Sequence, residues 1–244
     1  MSDDGEVRLD RLSRDRQVLQ RARGHRSGTD DIVAAWSASR AAPDAQRVLD
    51  LGCGHGTVTL LLSACLPEAA FVSVEAQEIS ADLCRRNMAL NGLDARVDVR
   101  RADLRELDGG LGTFDLVTGT PPFMPPGSGV LPQDAQRAAA RFELRGGIEA
   151  YCSAAARYLA PKGCASMVMD GAQDVRSRAA FAAAGLHLRS VRRVVPRTGK
   201  VWRYIAYVGG LQPGQVHEEE IVVRDDSGDF TPAWTAVRQA LRLD

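Results

Sequence analysis

An α/β domain follows from three features of the sequence. Strand-like and helix-like segments alternate through five consecutive units, the last third of the chain turns strand-rich, and a glycine-rich bend at 52–56 joins the first strong strand to the next helix. Alternation places parallel strands in one sheet with helices on both faces. The strand-rich end adds an antiparallel hairpin at one edge. With 244 residues the chain fits one large domain with a small appendage.

The elements follow in order. Residues 1–15 alternate in charge and are expected to be disordered or loosely attached; the segment 1–29 reads as an N-terminal extension, and 30–244 as a single domain. Residues 30–40 read as a helix with acids at its start. The first core strand is 47–51, followed by a helix over 56–64 that stops near Pro67. A strand at 70–75 and a helix over 79–91 come next, with Gly92 just past the helix end, where a left-handed exit favours glycine. Strands at 95–100 and 113–118 precede a Pro/Gly-rich loop over 120–132. The stretch 134–159 reads as one or two helices, broken near Gly146 and Gly147. A strand at 164–169 and a helix over 174–184 complete the alternation. The segments 186–195 and 201–208 form the antiparallel hairpin, 221–224 is a short strand, and 231–243 is a closing helix with Thr231 as its N-cap. The count of main strands is seven.

Composition excludes several function classes. No apolar run approaches the roughly 18 residues that span a bilayer, and the charged N-terminus is no signal peptide, so a cytoplasmic protein is expected. Five cysteines and four histidines show no metal-ligand spacing, so no metal is expected and the thiols read as small core residues. Net charge is zero, against strong nonspecific nucleic-acid binding. The charge is nevertheless uneven. Residues 175–217 hold eight basic residues and no acid, and 16–29 hold Arg16, Arg21, Arg23 and Arg26 without an acid. Such patches suit a phosphate-bearing substrate, or an ordinary solvated surface.

The chemistry-bearing residues gather at predicted strand ends, where open α/β sheets bind ligands. Asp50 closes the first strand, Gly52, Cys53, Gly54, Gly56 and Thr57 form the bend, Glu75 closes the second strand, and Asp103 and Leu104 follow the third. Glycine permits positive φ and close approach of a ligand to the backbone, although three glycines also make a bare tight turn. A strand-end carboxylate can accept both hydroxyls of a ribose. After the fourth strand stand Thr120, Pro121, Pro122 and Phe123.

Acid-x-Gly-x-Gly-x-Gly resembles the first motif of class I S-adenosylmethionine (SAM) methyltransferases, a Rossmann-like α/β fold. Thr-Pro-Pro-Phe resembles the Asn/Asp/Ser-Pro-Pro-Tyr/Phe motif of methyltransferases that act on amines. The resemblance implies SAM as cofactor, with Asp50 holding the methionine end or orienting the bend, Glu75 on the ribose, and Asp103 with Leu104 on the adenine. It also implies a catalytic loop. The first residue's side chain and the first proline's carbonyl would accept from an exocyclic amine, and the aromatic would stack on the base. Thr120 stands where Asn is usual, which bears on amine specificity more than on SAM.

The segment 20–30, with Gly24, Arg26 and Asp30, further resembles bacterial tRNA adenine-N6 methyltransferases that modify a valine tRNA, as do Arg141 and Glu143 and the tail from 221. That similarity spans roughly residues 17–235. It implies tRNA as substrate partner, with Arg26, Arg141 and Glu143 among its binding residues. Arg137, Arg141 and Arg145, spaced by four, share a helix face that would meet phosphates, the methionine carboxylate or solvent. Other readings are methylation of a small molecule or a protein amide, and a SAM-fold protein that has lost activity.

Overall fold

In a computed structural model, the protein is described over residues 6–107 and 109–243. Its centre is an eight-stranded sheet. The strands and helices are β3 (Arg47–Leu51), α2 (Thr57–Cys65), β4 (Ala70–Glu75), α3 (Glu78–Leu90), β5 (Val97–Arg101), β6 (Phe114–Gly119), α4 (Ala135–Arg141), α5 (Ile148–Tyr158), β7 (Leu159–Asp170), α6 (Asp174–Ala183), β8 (His187–Arg197), β9 (Tyr204–Gly210), β10 (His217–Arg224) and α7 (Pro232–Ala240). Ahead of these lie β1 (Val7–Arg11), β2 (Gln17–Arg21) and α1 (Thr29–Ala41). The sheet order is β10-β8-β9-β7-β6-β3-β4-β5, with β9 antiparallel to both neighbours and the other pairs parallel.

Both faces of the sheet are covered, so its strands are apolar on alternate sides. Val48 packs in the core shared with α1, α2 and α7, whereas Leu49 and Leu51 pack in the core shared with α5 and α6. The chain runs outward through β3, β4 and β5, then returns so that β6 lies beside β3 on its other flank. Strand order reverses there, and the loops leaving β3 and β6 diverge around a crevice. Leu51 and Gly119 pair in register at the rim. Among the described residues no helix is long and apolar enough to cross a membrane.

Two sequence expectations change. The sheet has eight strands rather than seven, because the short strand expected at 221–224 begins at His217 and pairs in parallel with β8. The added residues include three successive glutamates, Glu218, Glu219 and Glu220. Two of them are paired: Glu219 with Arg192 of β8, and Glu218 with Arg193 of β8 and Arg178 of α6.

The segment expected to be loosely attached is an antiparallel hairpin of β1 and β2 from residue 7 onward; residues 1–5 lie outside the described residues. Its charges alternate because its strands do. Asn87 of α3 and Asn91 at its C-cap bind the open edge of β2 as a neighbouring strand would. Asn91 accepts from Gln17 N at 3.0 Å and donates to Gln17 O at 2.8 Å, while Asn87 accepts from Leu19 N at 2.6 Å and donates to Leu19 O at 3.0 Å. Asn87 also donates to His55 O at 2.7 Å and is fully buried. Asn87→Ala strands these buried groups, so we expect a loss of about 2–3 kcal/mol in urea unfolding. Hydrogen exchange will show faster exchange of the Leu19 amide.

Candidate active site

The glycine bend is held from below and beside. Gly52 and Gly54 have φ of 65° and 57°, in the left-handed region that glycine enters freely. Any Cβ on Gly52 would lie 2.1 Å from the Tyr151 hydroxyl, whereas one on Gly54 would meet nothing within 4 Å. Asp50 stands under the bend, buried, and accepts from Thr59 Oγ1 at 2.7 Å and from the Thr59 amide. Thr59 lies in the first turn of α2, so the carboxylate caps that helix from the end of β3. Burial pushes the Asp50 carboxyl up to about 7 against these bonds. Asp50 thus ties the end of β3 to the start of α2 beneath the bend, and it is not among the residues lining the cleft above.

That cleft has about 840 Å³ of space, counting solvent at its mouth. Gly52, Cys53, Gly54 and Thr57 line it on the β3 side, Glu75 at the end of β4, Asp103 and Leu104 after β5, and Thr120 and Pro122 after β6. Residues from four successive loops thus meet in one cavity, as their strand-end positions required. Gly56 stays outside, as the N-cap of α2 with φ 94° against Cys84 and Met88. Glu75 accepts from Gly54 N at 3.0 Å and Gln77 N at 2.6 Å, one bond per oxygen. A carboxylate has further acceptor capacity beyond these bonds, and Glu75 borders the cavity. Burial raises its carboxyl, and the Gln77 and Gly54 amides oppose that. Asp103 is held low, chiefly by its bidentate pairing with Arg105 at 2.9 and 2.7 Å.

SAM fits these residues. The open front of Gly54 leaves backbone exposed for the methionine portion, Glu75 presents two acceptors for a ribose, and Ala76, Ala102 and Leu104 form an apolar slot beside Asp103 for a base. Several lining residues escaped the sequence reading. His25, Ala139 and Ala140 roof the cleft, and Asp31, His55 and Tyr151 also line it, as does Arg145, which lies beyond the end of α4. Tyr151 lies in α5 and is buried. Its ring fills the space that a side chain at Gly52 or Gly119 would need, since a Cβ on Gly119 would lie 2.8 Å from Tyr151 Cδ1. Asp31 carries its proton more tightly than usual because it is buried beside Asp30, and it accepts from Gly28 N at 2.8 Å. His55 is held near 3 by burial and is therefore neutral; it shares a close triangle with Ser27 and Thr57.

The roof hangs on Gln136, which is 2 % exposed. Its side chain accepts from Arg21 and from His25 N and donates to Ser80 at 3.0 Å. The segment before α1, α3 and α4 are joined at that one amide.

The diproline loop leaves β6 with Pro121 buried and Thr120 partly exposed in the cleft. Its far end is zipped to the exit of α4: Met124 N donates to Arg141 O, and Glu143 N to Met124 O, both at 3.0 Å. The Phe123 ring packs on Tyr204 at 5.8 Å, outside the lining of the cleft.

Of the residues expected to bind substrate, Arg26 and Arg141 border one shallow groove, whereas Glu143 lies outside it. Arg26 pairs with Asp10 at 3.0 Å. Glu143 is taken up by Arg176 at 2.7 and 2.9 Å, which fastens the segment after α4 to α6. Arg141 stays exposed. The basic run at 175–217 is largely spent in ion pairs, with Arg176, Arg178, Arg192, Arg193 and Arg203 all facing carboxylates. Among the described residues no group of three or more His, Cys, Asp or Glu is placed to hold a metal ion.

Residues 48–142 match a family model described as a methyltransferase domain. The tRNA1(Val) (adenine(37)-N6)-methyltransferase of Tolumonas auensis is 28% identical over 220 residues, covering 88% of this chain and 89% of the relative. The protein of the same name from Porphyromonas gingivalis is 31% identical over 163 residues, 64% of this chain and 63% of the relative. Among solved structures, a predicted O-methyltransferase from Agrobacterium tumefaciens aligns with TM-score 0.66 at 19% identity, over 88% of this chain and 98% of that one. The T. thermophilus 16S rRNA N2 G1207 methyltransferase, solved with AdoMet and guanosine, aligns with TM-score 0.56 at 20% identity, over 85% and 50%. These last two likenesses concern the fold. The chain is thus a SAM-dependent methyltransferase of the class I fold, and over most of its length it resembles bacterial tRNA adenine-N6 methyltransferases.

Proposed function

We propose that the enzyme methylates the N6 amine of an adenine in tRNA. The observation that carries this is the meeting of Thr120 and Pro122 with Gly52 and Gly54 in one cleft, on strands paired at Leu51 and Gly119. The bound cofactor supplies an electrophilic methyl group. The chain's own residues prepare the amine. An adenine amine is a poor nucleophile because its lone pair is delocalised into the ring. The Thr120 hydroxyl and the Pro121 carbonyl accept from its two N–H bonds and so turn the lone pair outward. Neither Pro121 nor Pro122 has an N–H to compete for those acceptors, and their fixed φ keeps the carbonyl aimed. The rate then comes mainly from holding amine and methyl in line. No strong base is needed, because the methylated amine is acidic and loses its proton to water.

Residues 30–244 act as the methyltransferase domain in this reading, with 1–29 an extension that helps to roof the cleft. An enzyme of tRNA works in the cytoplasm. The relatives' names support the acceptor, and so does the Pro-Pro-aromatic loop. Purified protein with labelled SAM and bulk tRNA will label the tRNA, and nucleoside mass spectrometry will show N6-methyladenosine. Label found only in small molecules or protein would refute the RNA acceptor.

A further inference from the structure

A second groove, with about 650 Å³ of space counting open solvent, adjoins the cleft at His25. Arg23, His25 and Arg26 form one wall, and Arg137 and Arg141 of α4 form the other. Four residues apart, the two arginines stand one above the other on a single helix face. Both are exposed, and among the described residues neither has a carboxylate within ion-pair distance. This separates them from the C-terminal basic run, whose arginines face Glu143, Asp174, Glu218, Glu219 and Asp170. His25 borders both this groove and the cofactor cleft, so the two cavities are one residue apart. The same helix gives Ala139 and Ala140 to the cofactor cleft.

We infer that this groove binds the phosphodiester backbone of the RNA beside the nucleotide being methylated, with Arg137 and Arg141 as the principal contacts; the inference rests on the RNA reading above. An exposed, shallow, guanidinium-lined groove suits a chain of phosphates. Arginine gives planar, bidentate recognition of phosphate oxygens without any base preference. The position also makes geometric sense. A base turned into the cleft toward Thr120 leaves its backbone at the mouth, where the roof is arginine-lined. Each phosphate neutralised releases counterions, so the contribution can be read from the salt dependence of binding.

The test compares wild type with R137A/R141A and R137K/R141K, using fluorescently labelled bulk tRNA over a range of salt. In the alanine pair we expect tRNA affinity to fall about tenfold or more at moderate salt. The slope of log K against log salt should shrink by about 0.7–1.8, the value for one to two phosphates. The lysine pair should recover most of the slope. Calorimetric affinity for S-adenosylhomocysteine should stay unchanged in both variants, which shows the roof intact. An unchanged slope in the alanine pair overturns the groove, and so does an equal loss of S-adenosylhomocysteine affinity. Failure of the parent reading looks different: the wild type binds tRNA with the steeper slope yet leaves no N6-methyladenosine in it. The groove would then stand and the reaction assignment fall.

Discussion

Gly54→Leu abolishes cofactor binding and leaves the fold standing. At φ 57° a leucine is strained by about 1–2 kcal/mol. That lowers Tm by roughly 2–8 °C in a protein of this size. No atom lies within 4 Å of the new Cβ, so the side chain enters the cleft without displacing protein. It occupies the space above the bend where the methionine portion of SAM is to lie. Calorimetry with S-adenosylhomocysteine should show affinity reduced at least about 100-fold, an effect near 3 kcal/mol. Gly52→Ala differs in kind, since its methyl group collides with the Tyr151 hydroxyl and must disturb α5. A Gly54→Leu protein that binds the cofactor normally would remove the bend from the site.

Thr120→Ala is expected to cut kcat by about 10- to 100-fold with cofactor affinity within twofold. Removing one aimed hydrogen-bonding partner of a transition state costs on this scale. Thr120 borders the cleft at the end of β6. Its loss therefore leaves Glu75 and the Gly52–Gly54 backbone, the groups proposed to hold the cofactor, untouched. Single-turnover rates with tRNA and S-adenosylhomocysteine titrations separate the two effects. Unchanged turnover would take the hydroxyl out of the chemistry and leave the Pro121 carbonyl as the acceptor that matters.

The parts of the site legible in the sequence are those with local causes. A strand end, a bend requiring positive φ and a diproline turn are each written in a few consecutive residues, and the parallel sheet brings strand ends to one rim. Glu75, Asp103 and Thr120 reach one cleft for that reason. What stayed hidden depends on distant partners. Gln136 joins the roof to Arg21 and His25, more than a hundred positions away, and a glutamine on an alanine-rich helix carries no mark of this. Asn87 binds β2 across 68 residues. Glu143 matched a substrate-binding pattern but serves Arg176, 33 residues on. Charge runs misled for the same reason, since the basic stretch 175–217 and the glutamates after it neutralise each other across the sheet edge.

The central claim is that methyl donor and amine meet at the sheet rim between the glycine bend and the diproline loop. A crystal structure with S-adenosylhomocysteine and adenosine tests it most directly. The account predicts the ribose hydroxyls on Glu75, the methionine portion over Gly52–Gly54, and the adenosine amine between Thr120 and the Pro121 carbonyl, facing the sulfur. Cofactor bound elsewhere on the protein, or an amine turned away from Thr120 and Pro121, would contradict it.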